Sequence, residues 1–199
     1  MRRSPLSLRQ ELARKTLHLA TAGFPVAYAL GAPRAVIVAA LAVVSVVALA
    51  VEALRRTNAG VQSAFERTFG AIVRQHEARA ITGATWLALS CLVVVLLLSR
   101  NAAIAALWCA TAGDPAATLF GRWMAPRAPD ADVAARKTMA GSMACLVVSF
   151  GGVWMIAGYA PAIAAPIAVV ATLAEFMPVT IDDNVRVAAA AGAMAQILT

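Results

Sequence analysis

Residues 35–51 read AVIVAALAVVSVVALAV, a run without a single charged side chain, and residues 84–98 read ATWLALSCLVVVLLL, a second such run. Each continues into further apolar residues. Blocks of about 20 apolar residues match the hydrocarbon thickness of a bilayer when coiled as a helix. The rest of the chain agrees. Of 199 residues 61% are hydrophobic and 14% charged, with a mean hydropathy of +0.77. A soluble domain carries about 25% charged residues. The expected fold class is therefore all-α: a polytopic integral membrane protein forming one transmembrane unit over residues 1–199, with no soluble domain.

Seven helices are expected, over 12–31, 33–53, 80–99, 101–121, 138–159, 161–177 and 183–199. Pro33, Pro161 and the pair Ser99/Asn101 mark the tight turns. The connection 54–79 is polar, but Val61, Phe65, Phe69, Ile72 and Val73 recur at helical spacing. That pattern predicts an amphipathic helix on the cytoplasmic membrane surface.

Positive charge divides unequally between alternate connections. Arg2, Arg3, Arg9, Arg14 and Lys15 precede the first helix or open it, and Arg55, Arg56, Arg67, Arg74 and Arg79 follow the second. Arg122, Arg127, Arg136 and Lys137 follow the fourth, and Arg186 follows the sixth. The other loops hold only Arg34 and Arg100, so the count is fifteen against two. The positive-inside rule makes the rich side cytoplasmic and the N-terminus internal. The net charge of +7 is then met by anionic lipid head groups, and no nucleic-acid-binding motif is present. Charges at Glu11, Arg14 and Lys15 precede any apolar run, which argues against a cleaved or twin-arginine signal. Cys91, Cys109 and Cys145 lie in separate apolar segments without a Cys-x-x-Cys pair and read as small buried hydrophobes.

Fifteen of the seventeen basic residues are arginine. The two lysines, Lys15 and Lys137, each sit in a polar cluster, suggesting positions that need a compact ammonium. Four such clusters fall on the cytoplasmic side. Glu11, Arg14, Lys15 and His18 share one helical face, and His18 continues that stripe into apolar sequence. Asp114 lies within a span, flanked by Gly113 and Pro115, which should loosen the helix; Gly121 and Arg122 follow. An intramembrane carboxylate is costly unless paired or hydrated, and freed backbone groups beside it suit a cation. Lys137, Thr138, Gly141 and Ser142 open the fifth helix, where free N–H groups suit phosphate and Gly141 would admit a ligand close to the backbone. Glu175, Pro178 and Asp182-Asp183-Asn184 supply more carboxylates than a helix cap requires, and hard oxygens beside a phosphate site suit Mg²⁺. Together these are parts for metal-assisted phosphoryl transfer, with the acceptor hydroxyl arriving from the bilayer and the phosphate donor from the cytoplasm.

In order along the chain, Glu-x-x-Arg-Lys-x-x-His, Gly-Asp-x-x-Ala-x-x-x-Gly, Lys-Thr-x-x-Gly-Ser and Glu…Asp-Asp-Asn resemble the polyprenol kinase family. That family comprises dolichol kinase, phytol and farnesol kinases and the CTP-dependent diacylglycerol kinase. The resemblance spans Glu11 to Asn184. Ala140-Gly141, where several members carry Glu-Gly, looks most like the phytol kinase branch; Ala125 stands where a further glycine is frequent. The resemblance implies a multi-spanning enzyme that phosphorylates a lipid alcohol, usually with CTP and a divalent cation, Mg²⁺ or Mn²⁺. It implies catalytic roles for Asp114, Lys137, His18 and Glu175. Metal contacts fall to Asp114, Asp182, Asp183 and Asn184. Nucleotide contacts fall among Glu11, Arg14, Lys15, Gly113, Gly121, Arg122, Lys137, Thr138, Gly141 and Ser142.

Two other readings compete. A phosphatidate cytidylyltransferase resembles the Gly-Asp and Lys-Thr stretches, but its His-Gly-Gly…Asp-Arg-x-Asp motif is absent. A small cation-coupled transporter would use Asp114 and Glu175, although no paired internal repeat is visible. Phytol, farnesol, geranylgeraniol, polyprenols and diacylglycerol all remain open as acceptors, as do CTP, UTP and ATP as donors. Small-residue runs in the last two helices would permit a homo-oligomer. The arginine and alanine bias suggests a bacterial inner membrane.

Overall fold

The computed structural model describes residues 8–73, 77, 80–124 and 137–199. Arg2, Arg3, Arg74, Arg79, Ala125, Arg127 and Arg136 lie outside the described residues. The described chain is all-helical, without a strand. Its helices are α1 (Leu8–Ala20), α2 (Gly23–Ala29), α3 (Arg34–Thr57), α4 (Ala59–Phe69), α5 (Gly83–Leu97), α6 (Arg100–Trp108), α7 (Asp114–Met124), α8 (Met139–Met155), α9 (Pro161–Phe176) and α10 (Asp183–Ile197). A π turn, Cys109–Gly113, joins α6 to α7 in one rod.

That rod is the centre of the bundle. Ala102 to Leu107 are almost completely buried, and α1, α2, α5, α8, α9 and α10 all pack against some part of it. Small side chains let the neighbours approach closely. A Cβ on Gly152 of α8 would overlap the Trp108 ring, whose Nε1 donates to the Val148 carbonyl at 2.9 Å.

The expected first helix, 12–31, is two helices. Thr21 and Ala22 form a turn because Pro25 has no N–H for the Thr21 carbonyl, which instead accepts from Phe24 at 3.0 Å. The break frees α1 to lie against α7 and the π turn, while α2 packs on α6. The amphipathic helix expected over 54–79 is shorter: α3 runs on to Thr57, Asn58 caps α4 by accepting from the Gly60 and Val61 N–H groups, and α4 ends at Phe69. Ile72 and Val73 lie beyond it in a turn.

Interhelical contacts place successive helix termini at two ends. At one, the carboxylate of Glu52 near the end of α3 accepts from the Thr82 N–H just before α5, and Lys137 before α8 reaches Glu175 near the end of α9. At the other, Arg34 donates to the Leu96 carbonyl and Arg100 to the Tyr28 carbonyl, both at 2.6 Å. Gly31 and Gly158 close turns at this second end with φ of 109° and 78°, a region open to glycine. Among the described residues two helical stretches, Arg34–Thr57 and Arg100–Met124, are long and apolar enough to cross a membrane. The first is mostly exposed, with Val43, Val46 and Val47 at 63%, 65% and 57%.

Candidate functional site

Asp114 is held where α7 leaves the π turn, at the buried middle of the bundle. Lys15 of α1 donates to its Oδ2 at 2.6 Å, and both side chains are buried. His18 Nδ1 stands 3.8 Å from the same oxygen, while His18 Nε2 meets the Ala110 carbonyl of the π turn at 3.0 Å. Asp114 Oδ1 is buried and has no hydrogen-bond partner among the described residues. A buried carboxylate oxygen left so is costly, and asks for a ligand or a water.

Outward along α1, Glu11 pairs with Arg14 at 3.3 Å and lies 4.0 Å from Arg122 at the end of α7. Arg14 in turn lies 3.8 Å from Glu77, whose carboxylate accepts from the Gly83 N–H that opens α5. The Gly83 carbonyl accepts from Asn184 Nδ2 at 3.1 Å. Asn184 also donates to Asp182, the N-cap of α10, through its N–H and its side chain. Burial pushes the Asp182 carboxyl above the usual carboxylate range, against the pull of these two donors.

Lys137 closes the arrangement. Its Nζ lies 2.9 Å from Glu175 Oε1 and 3.5 Å from Asp183, and it also donates to the Glu175 carbonyl. Asp183 is paired with Arg186 as well. Glu175 is within electrostatic reach of both Asp114 and Asp183. All four sequence clusters are thus linked by ion pairs and hydrogen bonds across α1, α5, α7, α8, α9 and α10, from Asp114 in the interior towards one end of the bundle.

Some expected site residues do other work here. Gly113, Gly121 and Gly141 sit between the rod and α8: a Cβ on Gly113 would strike Ser149, one on Gly121 would meet Thr138 at 2.6 Å, and one on Gly141 would meet the Ala117 carbonyl at 2.5 Å. Gly141 therefore admits a neighbouring helix to its backbone, where a ligand was expected. Thr138 is the N-cap of α8, accepting from the Gly141 N–H at 3.1 Å. Ser142 Oγ is buried without a partner among the described residues. Asp114 is paired with Lys15, Asp182 accepts from the Asn184 side chain, and Asp183 is paired with Lys137 and Arg186. Among the described residues no three His, Cys, Asp or Glu side chains form a ready metal cage.

Sequence reading passed over Glu77, Gly83 and the Glu52–Arg55 pair. Arg55 is buried, donating to Glu52 and to the Glu77 and Ala80 carbonyls beneath the Phe65 ring. A Glu and an Arg three apart at the close of an apolar helix were the available signal. Compared with protein-family models, curated proteins and solved structures, the chain matches none.

Proposed function

We propose that this chain is a membrane-embedded lipid-alcohol kinase. It transfers the γ-phosphoryl group of CTP to an isoprenoid alcohol or diacylglycerol at the cytoplasmic face of a bacterial inner membrane. The observation that carries the proposal is the linkage, towards one end of the bundle, of Lys15–Asp114, Lys137–Glu175 and Asp182-Asp183-Asn184 beside a buried carboxylate oxygen with no partner among the described residues.

Membrane embedding is supported by the exposed valines of α3, Val36, Val43, Val44, Val46 and Val47, on a charge-free stretch that lipid would cover. In this reading the shorter apolar helices α5, α8 and α9, together with α10 and the α1–α2 pair, complete seven spans, and α4 rests on the cytoplasmic surface. The described cations lie at the polar-cluster end, apart from Arg34 and Arg100, which supports a cytoplasmic N-terminus.

Lys137 and Arg122 would neutralise the nucleotide phosphates, with Glu175 holding the lysine in place. The donor set fits a divalent cation arriving with the nucleotide. Mg²⁺ commonly takes one or two carboxylates and completes its shell with phosphate and water, and Asp114 Oδ1 and Asn184 Oδ1 are hard oxygens, buried and unpartnered among the described residues. Asp114, Asn184 and one of Asp182 or Asp183 would hold Mg²⁺ or Mn²⁺, which neutralises charge on the transferred group. Lys15 keeps the Asp114 side chain aimed.

The test is purified protein in lipid nanodiscs with Mg²⁺, γ-labelled CTP, UTP or ATP, and phytol, farnesol, geranylgeraniol, a polyprenol or diacylglycerol as acceptor. Labelled lipid monophosphate and CDP are expected. Pyrophosphate with a CMP-lipid would make the protein a cytidylyltransferase, and nucleotide-independent solute uptake would make it a transporter.

A further inference from the structure

We infer that the hydroxyl group of the lipid acceptor is received at Nδ1 of His18, whose ring is held in the Nε2–H tautomer by a carbonyl that the π turn leaves without a helical donor. This deepens the kinase reading and rests on it.

In a regular α-helix the Ala110 carbonyl would accept from the Asp114 N–H. That N–H goes to Cys109 instead. The next residue, Pro115, has no N–H to offer. Ala110 is fully buried, so its carbonyl needs a donor from elsewhere. His18 Nε2 supplies one at 3.0 Å. A carbonyl oxygen can only accept, so Nε2 carries the hydrogen; the Asp114 charge is already paired by the Lys15 ammonium at 2.6 Å, so the ring beside it stays neutral and Nδ1 keeps a lone pair.

Nδ1 lies 3.8 Å from Asp114 Oδ2. Two acceptors oppose each other over a gap too long for a hydrogen bond. The arrangement asks for a donor, and an alcohol O–H is one. The same hydroxyl oxygen has lone pairs of its own to offer the Lys15 ammonium, which touches that carboxylate oxygen at 2.6 Å. The surroundings suit an amphiphile. His18 has a side-chain exposure of 10%, while Leu17 and Leu19 beside it are 57% and 44% exposed. An apolar tail can lie along those leucines while its polar head turns inward.

The experiment uses the full chain with isotope-labelled histidine in nanodiscs, read by nitrogen NMR. The chain has two histidines, so His76→Gln assigns the signals. His18 should show a pyrrole-type Nε2 and a pyridine-type Nδ1. Farnesol should shift the Nδ1 signal, and farnesyl methyl ether, which lacks the O–H, should not. His18→Gln keeps a donor for Ala110 and loses the ring acceptor. It should raise the KM for farnesol about tenfold, the worth of one hydrogen bond, with the KM for CTP and the melting temperature unchanged. A protonated Nδ1, equal shifts with alcohol and ether, or an unchanged farnesol KM in His18→Gln would overturn the inference. Wild-type protein that binds farnesol at Nδ1 yet phosphorylates no alcohol would overturn the kinase reading and leave the hydroxyl site standing. An active wild type without the Nδ1 shift would remove the hydroxyl site alone.

Discussion

Lys15 Nζ lies 2.6 Å from Asp114 Oδ2, with both side chains buried and the two residues 99 positions apart in the chain. Breaking such a pair from one side strands a buried charge, which costs about 3–5 kcal/mol, whereas removing both ions together is often neutral. Lys15→Met should therefore lower the melting temperature sharply. Lys15→Met combined with Asp114→Leu should recover most of the loss while remaining inactive. Thermal unfolding in one detergent, arranged as a double-mutant cycle, measures both effects.

Helix packing makes a second, purely structural prediction. Gly152→Ala should destabilise by about 1–3 kcal/mol, because its methyl group would enter the Trp108 ring in a packed interface. Its neighbour Gly151 has nothing within 4 Å of an added Cβ among the described residues. Gly151→Ala should be neutral or slightly stabilising in the same unfolding assay.

Lys137→Arg tests the need for a compact ammonium. A guanidinium keeps the charge but cannot occupy one point between Glu175 Oε1, the Glu175 carbonyl and Asp183. Turnover should fall at least about tenfold with the protein still folded, a loss of the size expected when a charged group shifts from its hydrogen-bonding position. Steady-state kinetics beside a melting curve separates this from simple unfolding.

Asp182 carries a pH signature. Its carboxyl is pushed above the usual range by burial, so the folded state holds that proton more tightly than the unfolded chain does. Folding is then penalised as pH rises through the carboxylate range. Asp182→Asn keeps a good helix cap and removes the penalty. The variant should be the more stable protein at neutral pH, and the advantage should shrink towards about pH 4, where the free carboxyl is itself protonated. Melting temperatures of both proteins across pH check the sign.

The gross architecture was legible because it is written locally. Charge-free runs give helices, Pro33 and Pro161 give turns, and Gly113 and Pro115 beside Asp114 mark the spot where the π turn forms. The clusters were legible as residue types at helical spacing. Their pairings were not, since Lys15 choosing Asp114, or Asn184 choosing the Gly83 carbonyl, depends on which helices become neighbours. The break at Thr21 and Ala22 was obscured by continuous hydrophobicity, although Pro25 held the reason. Gly121 and Gly141 read as ligand positions because a glycine that admits a phosphate and one that admits a helix look alike in sequence.

The most direct measurement is transfer of label from γ-labelled CTP to a lipid alcohol by wild-type protein and by Asp114→Asn. Labelled lipid monophosphate from the wild type is predicted, falling at least about a hundredfold in the variant, the loss expected when charge stabilisation at the reacting group is removed. Equal transfer by both proteins would take Asp114 out of the site, and no transfer to any alcohol by the wild type would contradict the account at its centre.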